Sequence, residues 1–275
     1  MDFYALGFRF LANESSQADT VLTVFYHCVH HGTEGLANSK PETKERPPAT
    51  FATALRSAAT LFMTIKSFTF NGFAENTYVL ADPATRQCVI LDPGCYTAAE
   101  QRELQAYIAA ENLTPALLLN THAHIDHVLG NAFVLRTWPG LPFLLHPLDL
   151  PILRAVPAYA GPYGFGAYEP AEPTGELAGG QVVSFGEIEL EVRFTPGHAP
   201  GHVVFYHRAS QAVIGGDVLF RGSVGRTDLP GGDHETLIQS IRAELLTLPD
   251  TTVVYPGHGP ATTVGEERRS NPFLT

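Results

Sequence analysis

The stretch Asn120-Thr-His-Ala-His-Ile-Asp-His-Val-Leu-Gly130 constrains this chain more than any other feature. It follows the short apolar run Ala116–Leu119, which reads as a buried strand, and it leads into a segment of helical character. Four metal-competent side chains, His122, His124, Asp126 and His127, fall within six positions. Alternate residues of an extended segment point the same way, so His122 and His124 can chelate one ion. The turn into the helix then carries Asp126 and His127 round to face a second ion. Imidazole with carboxylate suits zinc, and also iron or manganese. The plainer reading is a solvated polar loop with core histidines. It requires burying several ionisable groups without a metal, which is costly.

Three later segments repeat a pattern of strand, glycine and ligand. Phe194-Thr-Pro-Gly-His198 sets a histidine after a strand end, with Gly197 permitting the tight turn. Ile214-Gly-Gly-Asp217 does the same with a carboxylate, and Val254-Tyr-Pro-Gly-His258 with another histidine. Each is weak alone, and their joint occurrence downstream of HxHxDH is specific. His202 sits one turn past His198 and reads as a supporting residue. His146, His207 and His234 read as surface or core histidines. No GxGxxG follows a strand, and neither GxxxxGK[ST] nor GxSxG is present. Dinucleotide, P-loop and serine-hydrolase chemistry are therefore set aside.

Composition narrows the partners. The formal net charge of −11 argues against a nucleic-acid backbone as ligand. No apolar run reaches the roughly 18–20 residues of a membrane span, and the start of the chain lacks the basic region of a signal peptide. Three cysteines, Cys28, Cys88 and Cys95, form no CxxC pair, which fits a reducing, cytoplasmic compartment.

Organisation changes near Met63. Residues 38–50 are polar and proline-rich and read as linker. His27–His31 (HCVHH) has no partner motif and is not read as a site. Residues 1–62 are expected to be an extension or a mis-assigned start, with 63–275 as the catalytic domain. Beyond Met63, strands are expected at Ile65–Phe70, Asn76–Ala81, Cys88–Leu91, Ala116–Leu119, Gln181–Ser184, Ile188–Phe194, Val203–Tyr206, Ala212–Ile214 and Thr252–Tyr255. Helices are expected after a Thr97 cap to about Glu111, over Val128–Trp138, over Leu148–Ala155 and over His234–Leu246. Val156–Leu177, rich in Pro, Gly and Tyr, reads as a long loop, in which Tyr159, Tyr163, Phe165 and Tyr168 either line a substrate pocket or simply pack. Two β-rich halves, each with helices, imply a layered α/β sandwich rather than a doubly wound sheet.

The order HxHxDH, PGH, GGD and GHGP resembles the metallo-β-lactamase superfamily, over essentially Met63 to the C-terminus. Gly216–Gly232 (GDVLFRGSVGRTDLPGG) and Gly257–Arg269 (GHGPATTVGEERR) are similar to its short glyoxalase II-like branch. The resemblance implies an α/β fold with four αβ/βα layers, two mixed sheets flanked by helices. It implies that His122, His124 and His198 hold one metal, that Asp126, His127 and His258 hold the other, and that Asp217 bridges them. Two divalent ions, zinc first and iron or manganese as alternatives, are the implied cofactors. The implied reaction is hydrolysis of a small-molecule thioester such as S-lactoylglutathione by a hydroxide shared between the metals. Asp126 is expected to orient that hydroxide as well as to ligate. No general acid is assigned, because thiolates leave readily near neutral pH. Full-length glyoxalase II enzymes add a C-terminal helical region that grips glutathione. Here 17 residues follow His258, which leaves the thiol open.

The runner-up is a persulfide dioxygenase-like oxidoreductase with one iron on His122, His198 and Asp217; hydrolysis of another ester or phosphoester is a third reading. A β-lactamase is set aside because Asp217 matches a bridging carboxylate those enzymes generally lack. A ribonuclease is set aside on charge. Arg221, Arg226 and Asp228 either shape the site or form a structural ion pair.

Overall fold

The computed structural model describes residues 62–275. Residues 1–61 of the expected extension, the His27–His31 cluster among them, lie outside the described residues. Among the described residues, fourteen strands form two six-stranded mixed sheets and a short hairpin. The first sheet runs β1 (Thr64–Phe70), β2 (Glu75–Ala81), β3 (Gln87–Leu91), β4 (Thr114–Leu119), β5 (Phe143–Leu145) and β6 (Gly175–Glu176), in that spatial order. Its first two pairings are antiparallel and its last three parallel. The second contains β7 (Val182–Phe185), β8 (Ile188–Phe194), β9 (Val203–His207), β10 (Ala212–Gly216), β13 (Val253–Pro256) and β14 (Thr262–Thr263). Its order is β14-β13-β10-β9-β8-β7, with β10 and β13 parallel. The hairpin is β11 (Leu219–Phe220) with β12 (Ser223–Val224).

The two-residue period of a strand explains the layers. Tyr78, Leu80, Val89, Leu91 and Leu119 face Leu190, Val192, Val203, Phe205 and Ile214 of the other sheet and form the central core. Their neighbours Val79, Ala81, Cys88, Ile90 and Leu118 point outward onto helices α1 (Ala98–Ala110), α3 (Asn131–Thr137) and α4 (Leu150–Tyr159). Val204, Tyr206 and Val213 point outward from the second sheet onto α5 (His234–Ser240) and Val264 of α6 (Val264–Ser270). The result is the expected αβ/βα sandwich, and cover on both faces leaves every residue of β2 and β9 buried, the polar Glu75, Asn76, Thr77 and His207 included. No helix among the described residues is long and apolar enough to cross a membrane.

Thr97 caps α1 as expected, with a complete capping box to Glu100. Other boundaries differ. The helix expected over Val128–Trp138 is two, α2 (Ile125–Val128) and α3. They part at Gly130, whose N–H donates to Pro93 O at 2.6 Å and where a Cβ would meet Cys95 Sγ at 2.5 Å. Helix α4 follows a 3₁₀ turn at Pro147–Asp149 and runs on through Pro157 into the expected loop. The helix expected to Leu246 ends in a π-helical turn, Ile241–Leu245.

Candidate metal centre

Every candidate ligand stands just past a strand end, on one rim where the two sheets meet. His122, His124, Asp126 and His127 follow β4; His198 follows β8, Asp217 follows β10 and His258 follows β13. Gly197, at φ 129°, makes the turn before His198, and a Cβ there would lie 2.3 Å from Leu237 N. Asn76 ties the sheets together at this rim, its N–H donating to Gly257 O at 2.7 Å and its Nδ2 to Gly259 O at 2.8 Å.

All seven predicted residues are brought together. His124 Nδ1 lies 2.8 Å from His198 Nε2, and His198 Nε2 lies 3.3 Å from His122 Nε2. On the other side His258 Nε2 lies 3.1 Å from Asp126 Oδ2, and His127 Nε2 lies 3.7 Å from the same oxygen. Asp217 stands between these groups. Its Oδ1 is 3.4 Å from His127 Nε2, and its Oδ2 is 3.4 Å from His258 Nε2 and 3.6 Å from His198 Nε2.

Hydrogen bonds behind the rings fix their tautomers. Thr121 Oγ1 donates to Asp92 Oδ2 at 2.6 Å, so its contact with His122 Nδ1 at 3.0 Å is one in which the ring nitrogen donates. His198 Nδ1 donates to Arg226 O at 2.7 Å. The Nε2 atoms of both rings are therefore bare lone pairs facing each other, an arrangement that calls for a cation. His258 Nδ1 donates to Phe73 O at 3.1 Å and His127 Nδ1 to Asp92 Oδ2 at 3.2 Å. His127 Nε2 and Asp217 Oδ1 are buried with no hydrogen-bond partner. These orphaned atoms, with N and O donors in two sets, fit a pair of divalent ions.

The two halves are electrostatically unlike. Burial pulls His122 well below its ordinary value and His124 to about 3, and His198 is also lowered, so this trio offers neutral nitrogens. Burial also opposes charge on His127 and His258, but Asp126 and Asp217 outweigh it. They raise His127 well above its ordinary range and His258 to about 10. Burial likewise opposes ionisation of Asp126 and Asp217, and His127 outweighs it, holding both as carboxylates.

His202 supports rather than joins the cluster. Its Nε2 accepts from Asp217 N at 3.1 Å, its Nδ1 pairs with Thr195 Oγ1 at 3.1 Å, and its ring stacks on His122 with centroids 4.8 Å apart. His146 stacks on Phe194 and His207 bonds Ser210. Arg226 and Asp228 form a two-pronged ion pair at 2.7 Å, while the Arg226 carbonyl holds His198, so both readings of that segment apply. Arg221 donates to Ala261 O at 2.5 Å. Tyr163 and Phe165 pack against Phe73 beside His258.

Three buried carboxylates escaped the sequence reading. Asp92, at a left-handed φ of 49°, accepts from Thr121 N at 2.7 Å as well as from Thr121 Oγ1 and His127. The only sequence signal was its Asp-Pro-Gly turn. Glu75 accepts from Thr77 Oγ1 at 2.9 Å and lies 3.9 Å from His127 Nδ1; burial pushes it well above the carboxylate range. Asp149 accepts from Ala123 N at 2.8 Å and Gly201 N at 2.5 Å, stapling the two loops that carry His122, His124 and His198.

Known proteins resemble this chain in sequence and in fold. The Metallo-beta-lactamase superfamily model matches residues 70–258. The Bacillus subtilis "Probable metallo-hydrolase YqgX" is 42% identical over 68% of this chain and 87% of its own length. The Haemophilus influenzae "Hydroxyacylglutathione hydrolase GloC" is 36% identical over 77% of this chain and 98% of its own. Among solved structures, TTHA1623 in a di-iron-bound form superposes with a TM-score of 0.68 at 42% identity, over 76% of this chain and all of its own. The BLEG-1 B3 metallo-beta-lactamase gives 0.68 at 37% identity over 77% of this chain and all of its own. ETHE1 from Myxococcus xanthus gives 0.62 at 27% identity, over 76% and 84%.

Proposed function

The chain belongs to the metallo-beta-lactamase superfamily of metal-dependent hydrolases, and from that premise we propose that it is a dinuclear thioester hydrolase. His122, His124 and His198 would hold one divalent ion, Asp126, His127 and His258 the second, and Asp217 both. The observation that carries this is the place of Asp217, within 3.6 Å of histidines from either trio. Zinc is our first assignment, with iron and manganese compatible with the same donors.

When bound, such ions lower the pKa of a coordinated water towards about 7 and polarise a carbonyl. The chain's own residues do the rest. Thr121, Asp92, Arg226 O and Phe73 O hold four imidazoles in the ligating tautomer. Asp126 Oδ2, 3.1 Å from His258 Nε2, is a carboxylate able to accept a proton from the attacking water and orient it. A thiolate leaves without protonation, so the lack of an assigned acid is no obstacle. The substrate class we assign is a small acyl-thiol; that the Haemophilus relative is named a hydroxyacylglutathione hydrolase supports it.

Oxidation of a persulfide at one iron on His122, His198 and Asp217 would leave Asp126, His127 and His258 without purpose, although they converge as closely as the first trio. β-Lactams, which are cyclic amides, are a second substrate class to test, since a relative of known structure is called a B3 metallo-beta-lactamase. A cytoplasmic location is proposed on the buried thiols of Cys88 and Cys95, neither in a disulfide. The decisive experiment is thiol release from S-lactoylglutathione by protein of known metal content. Rapid release with two ions per chain, abolished in His124→Ala, is expected. Two ions with no release would refute the substrate class, and one iron with persulfide-dependent oxygen uptake would refute the mechanism.

A further inference from the structure

The turn between β1 and β2 is pinned over the metal centre. Asn71 N donates to Glu100 Oε1 at 2.7 Å, and Asn71 Nδ2 reaches both Gly94 O and Asp126 O at 3.1 Å. Phe73 N donates to Asn71 Oδ1 at 3.0 Å, and Phe73 O receives the His258 proton. The Phe73 backbone is therefore tied to two of the proposed ligands, while its side chain remains 42% exposed. Beside it, from the segment expected to be a loop, Tyr163 is 57% exposed with its ring centroid 6.1 Å from that of Phe73. Phe165, buried, lies 5.7 Å beneath Phe73, and Tyr159 extends the row 5.9 Å beyond Tyr163.

Six large apolar or aromatic side chains are exposed among the described residues, and two of them touch each other here, on a pinned turn at the site. Scattered exposed hydrophobes need no explanation, but an adjoining pair held open at a reactive centre marks a binding surface. The nearby cation does not compete for the role, because Arg226 is neutralised two-prongedly by Asp228. We propose that Phe73 and Tyr163 form a subsite for an apolar or aromatic group flanking the scissile carbonyl, carried on either the acyl or the thiol side of the substrate. Aromatic faces bind such a group by offset or edge contact, and a small polar hydroxyacyl group leaves them in water. This inference rests on the thioester-hydrolase reading and adds to it the class of substituent.

The test compares kcat/KM for S-lactoylglutathione, S-phenylacetylglutathione and S-benzyl thioacetate, in the wild type, Phe73→Ala and Tyr163→Ala, each checked for two ions per chain. The wild type is expected to prefer at least one aromatic substrate by about ten-fold, the size of effect a matched apolar contact gives. A preference for the phenylacetyl compound places the group on the acyl side, and for the benzyl compound on the thiol side. Each variant is expected to lose about ten-fold more on the preferred substrate than on S-lactoylglutathione. Preference for S-lactoylglutathione in the wild type, or equal losses on all three substrates, overturns the subsite and leaves the hydrolase reading standing. No cleavage of any thioester removes both.

Discussion

Asp149 is the sharpest test of how the centre is held, because it touches none of the proposed ligands. Its two oxygens accept from Ala123 N at 2.8 Å and Gly201 N at 2.5 Å, and no part of the residue is exposed. Asp149→Ala leaves two buried donors unpaired, each costing about 1–3 kcal/mol, so the expected loss of stability is about 2–6 kcal/mol. Asp149→Asn keeps one acceptor and turns an amide N–H towards the other donor, for a loss of about 1–3 kcal/mol. Burial pushes the Asp149 carboxyl up to about 6, against the two N–H bonds that favour ionisation. A raised folded-state pKa means the folded protein holds this proton more tightly than the unfolded chain. The group's contribution is therefore full below about pH 4 and lost as pH rises through about 6. Asn does not titrate, so the deficit of Asp149→Asn should be roughly 1–2 kcal/mol larger at pH 5 than at pH 8. Urea unfolding of chelator-treated protein at the two pH values measures this, and metal analysis of untreated protein gives the second readout. Because Ala123 separates His122 from His124, and Gly201 lies in the loop after His198, the variant should retain less than two ions per chain. Unchanged stability together with two retained ions would falsify the staple.

Three further outcomes follow from the same geometry. A Cβ at Gly257 would lie 2.2 Å from Asp217 Oδ1 and 2.7 Å from His127 Cε1, so Gly257→Ala should shed metal and lower turnover about a hundred-fold; normal metal content would refute it. His258, held up to about 10 by Asp126 and Asp217 in spite of burial, must lose its proton to ligate. Metal affinity of chelated protein should therefore rise with pH from 7 towards 10. Calorimetry in buffers of differing ionisation enthalpy should show proton release at pH 7, and its absence would sink the assignment. Thr97→Ala removes the capping box of α1 and should lower stability by about 1 kcal/mol with no change in turnover, read by denaturation and thiol release.

The seven candidate ligands were legible because each stands in a short motif with a glycine or a strand end beside it, and the layered fold because its strands alternate or are buried on both faces. Other features depended on contacts that no local window contains. Strands β6, β11, β12 and β14 have two residues each and carry no period to detect. Helix α6 (VGEERRS) buries only Val264, Gly265 and Glu267, too few for an apolar stripe. The split between α2 and α3 is set by the 93–95 loop lying against Gly130. Asp149 reaches partners 26 and 52 residues away, and a lone carboxylate in a helical segment gives no hint of that.

The division between what was and was not legible matches a division of labour in the molecule. Four imidazoles turn their Nε2 atoms to the centre because Thr121, Asp92 and the carbonyls of Arg226 and Phe73 occupy their Nδ1 atoms. Two of those four partners are backbone oxygens, whose positions depend on fold rather than side-chain identity. Such a centre tolerates wide sequence change as long as the strand ends keep their places, consistent with shared fold at 27% identity. The mouth follows another rule, since Phe73 and Tyr163 meet only through side chains on a turn and a loop. Substitutions behind the imidazoles should therefore change metal retention on every substrate alike, whereas substitutions at the mouth should change the ratio of kcat/KM between substrates at constant metal content. A mouth variant that altered both together would mean that centre and substrate surface are one mechanical unit, and the separation argued from these contacts would be wrong.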